Sequence, residues 1–340
     1  VIPTPIPTPV IETPLQTAWP AILALVLLLP ALALSARALW PGRPTALGLA
    51  GVLLLALVVR LWVVPAWSQH LYDGHEAEYW DIFQGSRALS RGGPVLYPAM
   101  QWWWWAWGQV LPHVERAPVV LSTLVGLVAI GTAGAAVARL ATPAAGMVAA
   151  LVLALDPVHA AWSSSAYNVI PAQALGGLAL LAVARLVRPT APLSLRDRLA
   201  LGAVAGLALA LAVATRIEAG LWALPCLLLL LGPRTEGGLA WRDRLPLLLP
   251  LALGGLLALL AARPILFPGD VPGAGDRAAA FAMNWDLLGL QAPFDTPPAL
   301  ALVAGGALLA ARRWPWPTLA LVGTALANHL LMASFDDMGD

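Results

Sequence analysis

The chain has 340 residues, of which 60% are hydrophobic and 11% charged, with a mean hydropathy of +0.78 and a net charge of +1. Soluble domains carry about a quarter of their residues as charges, so this composition excludes a water-soluble globule and predicts an integral membrane protein. The single cysteine, Cys226, lies in an apolar run, which excludes an intrachain disulfide and leaves thiolate metal chemistry without a basis.

In chain order, residues 1–17 open with the Pro/Thr-rich stretch VIPTPIPTPVIETP, expected to be an extended extracytoplasmic tail. From residue 18 to 340, apolar runs of roughly the length needed to cross ~30 Å of hydrocarbon recur between Arg, Pro and Gly. Ten are predicted as helical spans, near residues 18–40, 45–66, 117–138, 142–156, 171–187, 199–215, 219–232, 246–264, 297–311 and 315–333. The fourth, fifth, seventh and ninth are short for a full crossing. The expected fold class is all-α, a polytopic transmembrane bundle with a helical first extracytoplasmic loop. The chain starts at Val1 and stops just after an apolar run, and both ends are expected to be incomplete.

Arginine orients the bundle, because cytoplasmic loops retain basic residues. The loops after the odd-numbered spans carry Arg37, Arg43, Arg139, Arg185, Arg188, Arg196, Arg198, Arg234, Arg242, Arg244, Arg312 and Arg313, against only Asp197, Glu236 and Asp243. Most remaining acids fall on the opposite side. That side also holds the two long loops, about 67–116 and 265–296, and is the expected working face. All nineteen basic residues are arginine, which together with the excess of Ala and Leu points to a GC-rich bacterial genome. Phosphate-loop, dinucleotide and zinc-spaced motifs are missing. An ATPase or a nicotinamide enzyme is unsupported, and neither cofactor nor nucleic-acid partner is expected.

The first outer loop gathers Asp73, Glu76, Glu78 and Asp81 within LYDGHEAEYWDIFQG. Free of proline, the stretch can be helical, and then Asp73, Glu76 and Trp80 share one face while Glu78 and Asp81 point elsewhere. Two neighbouring carboxylates raise one another's pKa, and partial desolvation adds to this, giving a base poised nearer neutrality. An amphipathic helix lying on the membrane with its acids in water explains the same pattern. Farther on, WWWWAWG places Trp102 to Trp105 and Trp107 together. Such a cluster serves either as an interfacial belt or as a stacking surface for a sugar ring or polyprenyl chain.

The order of these features resembles the GT-C membrane glycosyltransferases, in particular the branch using polyprenyl-phosphate sugars that includes protein mannosyltransferases and the lipid A aminoarabinose transferase. In LALVVRLWVVPAWSQHLYDGHEAEYW an apolar helix ends in Arg60 and Leu61, Pro65 follows, and Glu76, Ala77 and Tyr79 match the acidic motif that opens the family's first loop. The segments GPVLYPAMQWWW with Pro98, ERAPVVLSTLVGLVAIGTAGAAVARL with Arg116, AAGMVAALVLALDPVHAAWSSSAYNVIPAQAL and AVATRIEAGLWALP continue the similarity over about residues 45–230. The chain departs from the pattern at three points. His75 stands where a carboxylate is usual, SSSAYNV lacks an arginine, and residues 18–40 form a helix ahead of the family's first. The family's large C-terminal part is also expected to be missing.

The resemblance implies a sugar donor on a polyprenyl phosphate, an extracytoplasmic acceptor and inversion at the anomeric carbon, with Asp73 or Glu76 as general base. The leaving phosphate needs a cation, and Arg216 in ATRIEAG is the natural candidate because a guanidinium binds phosphate oxygens in a bidentate way. Alternatively Arg216 and Glu218 neutralise each other. Tyr79, Trp102, Trp105 and Asp156 are further substrate-binding candidates, Asp156 having helix capping as its other role. Arg60 and Arg116 are weaker phosphate candidates that would serve equally as helix anchors. Asp270, Asp276, Asp286 and Asp295 are read as solvated. His70, His75, His113 and His159 form no metal motif, and a divalent ion at Asp73 and Glu76 is unsupported. A second reading is a non-catalytic GT-C-like subunit serving as scaffold or partner in a membrane complex. A transporter is disfavoured, since no matched pair of Gly/Pro-broken helices marks two halves.

Overall fold

The computed structural model describes residues 14–67, 80–84, 98–111, 117–163, 168–232, 241–244, 247–266 and 297–332. Among these the regular structure is entirely helical. In chain order the first elements are α1 (Pro14–Leu39), α2 (Arg43–Trp67), α3 (Pro98–Val110), α4 (Ala117–Leu140), α5 (Pro143–Leu155), α6 (Pro157–Trp162), α7 (Val169–Val187) and α8 (Leu195–Thr215). A 3-10 turn, Ile217–Trp222, leads into α9 (Ala223–Leu231), followed by α10 (Trp241–Arg244), α11 (Leu248–Leu266), α12 (Pro297–Arg313) and α13 (Pro315–Met332). A further helical turn covers residues 80–84.

Each of the ten predicted runs coincides with a helix. Five segments are long and apolar enough to cross a membrane: Ala18–Leu39, Arg43–Trp62, Ala117–Leu140, Val169–Val187 and Leu195–Thr215. The fifth run, short by sequence, reaches full length because its helix starts two residues earlier, at Val169. Pro143–Leu155, Ala219–Leu231 and Leu248–Ala261 are apolar but shorter. The chain is thus an all-α membrane protein.

Local signals explain where the helices start. Thr142 caps α5, its Oγ1 accepting from Ala145 N–H at 3.1 Å with Pro143 in the first turn. Ser194 does the same for α8 through Asp197 N–H at 3.1 Å, and Asp197 adds its negative charge to the first turn. Between α1 and α2, Gly42 turns the chain at φ +88°, a conformation that a side chain would strain.

The centre is α7 and α8, 72% and 78% buried over their spanning windows, against 22% for α1 and for α2. Around them α4 packs on α7, α1 and α11 on α8, and α5 bridges α4 and α2. Apolar side chains gain nothing by leaving lipid for protein, so small residues that admit close helix contact supply the packing. A Cβ on Gly254 of α11 would lie 2.3 Å from the backbone of Gly206 in α8, whereas one on the adjacent Gly255 meets nothing within 4 Å. Gly254→Ala is therefore expected to lower stability by about 1–3 kcal/mol through forced separation of the helices. Gly255→Ala should be neutral or stabilising by up to about 1 kcal/mol. Thermal unfolding in detergent reads both, and equal effects would contradict a backbone contact at Gly254.

The two ends of the bundle differ chemically. At one end arginines close helix C-termini: Arg185 donates to Trp40 O at 2.7 Å and Leu39 O at 3.2 Å, Arg188 to Leu140 O, and Arg244 to Leu230 O and Gly232 O. Arg198 pairs with Asp243 at 2.9 Å. A cation there meets the negative end of the helix dipole. These are residues of the arginine-rich side deduced from the loops. The opposite end carries Arg60, Asp156, His159, Asn168 and Arg216.

Candidate functional site

Asp73, Glu76 and Tyr79 lie outside the described residues, so their expected roles rest on sequence alone. Of the acidic loop the structure describes the helical turn 80–84, where Asp81 is exposed and Ile82 and Phe83 are buried.

The tryptophan run becomes a helix, and 100° per residue sends its rings in different directions. Trp104 is buried edge-on to Phe83, with centroids 6.4 Å apart, beside Ile82, Met100 and Ala117. Trp103 stands edge-on to Trp107 at 5.6 Å. Trp102 and Trp103 face a cavity of about 260 Å³ between α1, α3, α4, α7 and α8, while Trp105 is 40% exposed and takes no part in it. The run therefore divides its labour: one ring for packing, two for a cavity wall and one for the surface.

Among the described residues of the cavity wall only Thr215 has a polar aliphatic side chain, and its Oγ1 donates to Ala212 O at 2.7 Å within its own helix. The remaining wall includes Ala21, Leu25, Val128, Pro171 and Leu211. A cavity so lined stays dry and admits hydrocarbon.

Thr215, on this wall, is followed directly by Arg216. Arg216 ends α8 in extended geometry, φ −160° and ψ 121°, and begins the 3-10 turn that contains Glu218. Arg216 Nη1 donates to Asn168 Oδ1 at 3.3 Å, and the buried Asn168 in turn donates from Nδ2 to Thr215 O at 3.0 Å. Asn168 thus ties the start of α7 to the end of α8 and orients the guanidinium. The Glu218 side chain lies outside the described residues.

A second polar group sits where α2, α5 and α6 meet. Arg60 is wholly buried. Its Nη1 donates to Ala56 O at 3.1 Å and Ala154 O at 3.2 Å, and its Nη2 lies 2.7 Å from His159 Nδ1. Arginine has no acceptor, so Nδ1 is the accepting nitrogen and the neutral ring carries its proton on Nε2. Ser163 Oγ donates to His159 O and lies 3.2 Å from Nδ1. Gly126 of α4 leaves the room, since a Cβ there would stand 2.5 Å from Ser163 Oγ. Asp156 Oδ2 accepts from His159 N–H at 3.2 Å, the geometry of a helix cap for α6, and its charge acts on Arg60. Burial, reinforced by the Arg60 cation, pushes His159 down to about 4.

No family model matches the chain. Neither a curated protein nor a solved structure shows significant similarity to it.

The structure brings Trp102 and Thr215, the chain neighbour of Arg216, to one cavity, and it places Asp156 beside the Arg60 cluster instead. Sequence reasoning ranked Arg60 low. The available signal was a charge inside a spanning run, which is costly and therefore purposeful. Its partner His159, 99 residues away, carries no local mark. Among the described residues no group of His, Cys, Asp and Glu could hold a metal ion.

Proposed function

We propose that this chain is a glycosyltransferase of the GT-C type, with about ten spans in a bacterial inner membrane and its working face outside the cytoplasm. It moves a sugar from a polyprenyl phosphate to an extracytoplasmic acceptor. Asp73 or Glu76 takes the proton of the acceptor's nucleophilic group as that group attacks the anomeric carbon from the face opposite the phosphate. The bond from carbon to phosphate oxygen breaks, the centre inverts, and the polyprenyl phosphate leaves with the electron pair. Arg216 stabilises the charge on that phosphate, and no added acid is needed because a phosphate is a good leaving group.

The observation that carries this reading is the apolar cavity whose described lining includes Trp102 and Thr215, the residue that precedes Arg216. A lipid phosphate has the same order of parts, an apolar chain and then an anion. The arginine-closed helix ends at the other pole of the bundle support the orientation.

The test is binding of polyprenyl phosphate to the full chain in nanodiscs, followed by native mass spectrometry. Arg216→Gln should weaken binding by about tenfold to a hundredfold, the scale of a lost charge-assisted hydrogen bond, with thermal stability kept. Unchanged affinity would remove Arg216 from the phosphate site.

A further inference from the structure

The helix α1 precedes the part of the chain that carries the family resemblance, yet it is built into the core. Ala18, Ala21, Ala24, Leu28 and Ala31 are buried, at spacings of three and four that define one helix face. Trp19, Leu23, Val26 and Leu29 point outward. The buried face packs on α8, α11 and α3. From this face Ala21 and Leu25 enter the cavity, opposite Trp102 and Trp103.

We propose that α1 forms one wall of a lipid-chain site and that Ala21 sets how much of the isoprenoid chain of a polyprenyl phosphate the cavity admits. The inference rests on the donor assigned above and adds a specificity-determining helix to it. Three observations converge. Among the described residues the wall is apolar apart from Thr215 and the indole N–H groups, so an extended polar occupant would lose its hydrogen bonds there. Four of the five helices around the cavity, α1, α4, α7 and α8, are long and apolar enough to cross a bilayer, the phase that holds a lipid chain. Thr215 on its wall is followed directly by Arg216, a cation suited to the anionic head of a lipid phosphate. Alanine is the smallest side chain that keeps helix propensity, and at position 21 it leaves space that any larger residue would fill.

The experiment is photo-crosslinking of the full chain in nanodiscs with a polyprenyl phosphate bearing a diazirine in its first isoprene units, with labelled peptides mapped by mass spectrometry. Labelling is expected on α1 around Ala21 and Leu25 and on Trp102 or Trp103. Ala21→Phe should reduce labelling of the tryptophan peptide by about tenfold, the scale of overfilling a packed site. Leu23→Phe, on the outward face, should leave it unchanged. Should Ala21→Phe fail to fold, Ala21→Val should still give a smaller loss in the same direction.

Equal labelling in all variants, or labelling that avoids α1, overturns the proposal. So does loss of labelling when phosphatidate is added in equal amount, because the cavity would then hold ordinary phospholipid. Phosphate-dependent binding that persists while α1 stays unlabelled refutes only the role of α1. Labelling of α1 by a phosphate-free prenol, equal to that by the phosphate and indifferent to Arg216→Gln, instead removes the donor reading together with this one.

Discussion

Arg60→Ala is expected to destabilise the folded chain by about 1–3 kcal/mol, the cost of leaving the buried Ala154 O and His159 Nδ1 without their donor. Arg60 holds α2 to the end of α5 through Ala154 O and to α6 through His159. Arg60→Met, which keeps most of the volume, separates lost charge from lost packing. If Arg60→Met costs less than about 1 kcal/mol, the cluster is not a clamp.

The same cluster sets a pH dependence. In the unfolded chain the His159 ring takes up a proton as pH falls through about 6.5, whereas in the fold it remains neutral until about 4. Between these values the unfolded state binds more protons, so stability is at its full value above pH 6.5 and falls as pH drops towards 4. His159→Gln preserves an acceptor for Arg60 and should flatten that slope in thermal unfolding. A slope unchanged by the substitution would place the titrating group elsewhere.

The second large effect concerns catalysis. Of Asp73→Asn and Glu76→Gln, at least one should lower sugar transfer by about 10²- to 10⁴-fold, the contribution typical of a positioned general base. Binding of the polyprenyl phosphate should persist in the same variant, because the base acts on the acceptor and not on the phosphate. Transfer from a lipid-linked sugar in nanodiscs measures the first, native mass spectrometry the second. Wild-type transfer in both variants would refute the assignment. A non-catalytic subunit would show no transfer in the wild-type chain either, and would instead purify at fixed stoichiometry with a partner.

These expectations draw unequally on sequence and structure. The helices were legible because the bilayer selects composition locally: a run such as 45–66 announces itself without reference to any other part of the chain. The arginine alternation was legible for the same reason, being a property of loops read one at a time. The site was only half legible. Trp102 and Arg216 could be named from their types and neighbours, but nothing in the sequence shows that α1, α3 and α8 converge to put an apolar cavity between them. Nor could four adjacent tryptophans be sorted, since which ring packs on Phe83 and which faces the cavity depends on how α3 is rotated against its neighbours.

The sequence by itself determined that this is a helical membrane protein, where its helices run and which loops are basic, because transfer from water to hydrocarbon acts on each segment independently. Tertiary structure alone decided that α7 and α8 form the centre, that Gly206 and Gly254 bring two backbones into contact, that Arg60 meets His159, and that α1 lines the cavity. Those pairings join residues tens of positions apart, and in lipid they are chosen by shape and hydrogen bonding between helices, to which the hydropathy of each segment is blind.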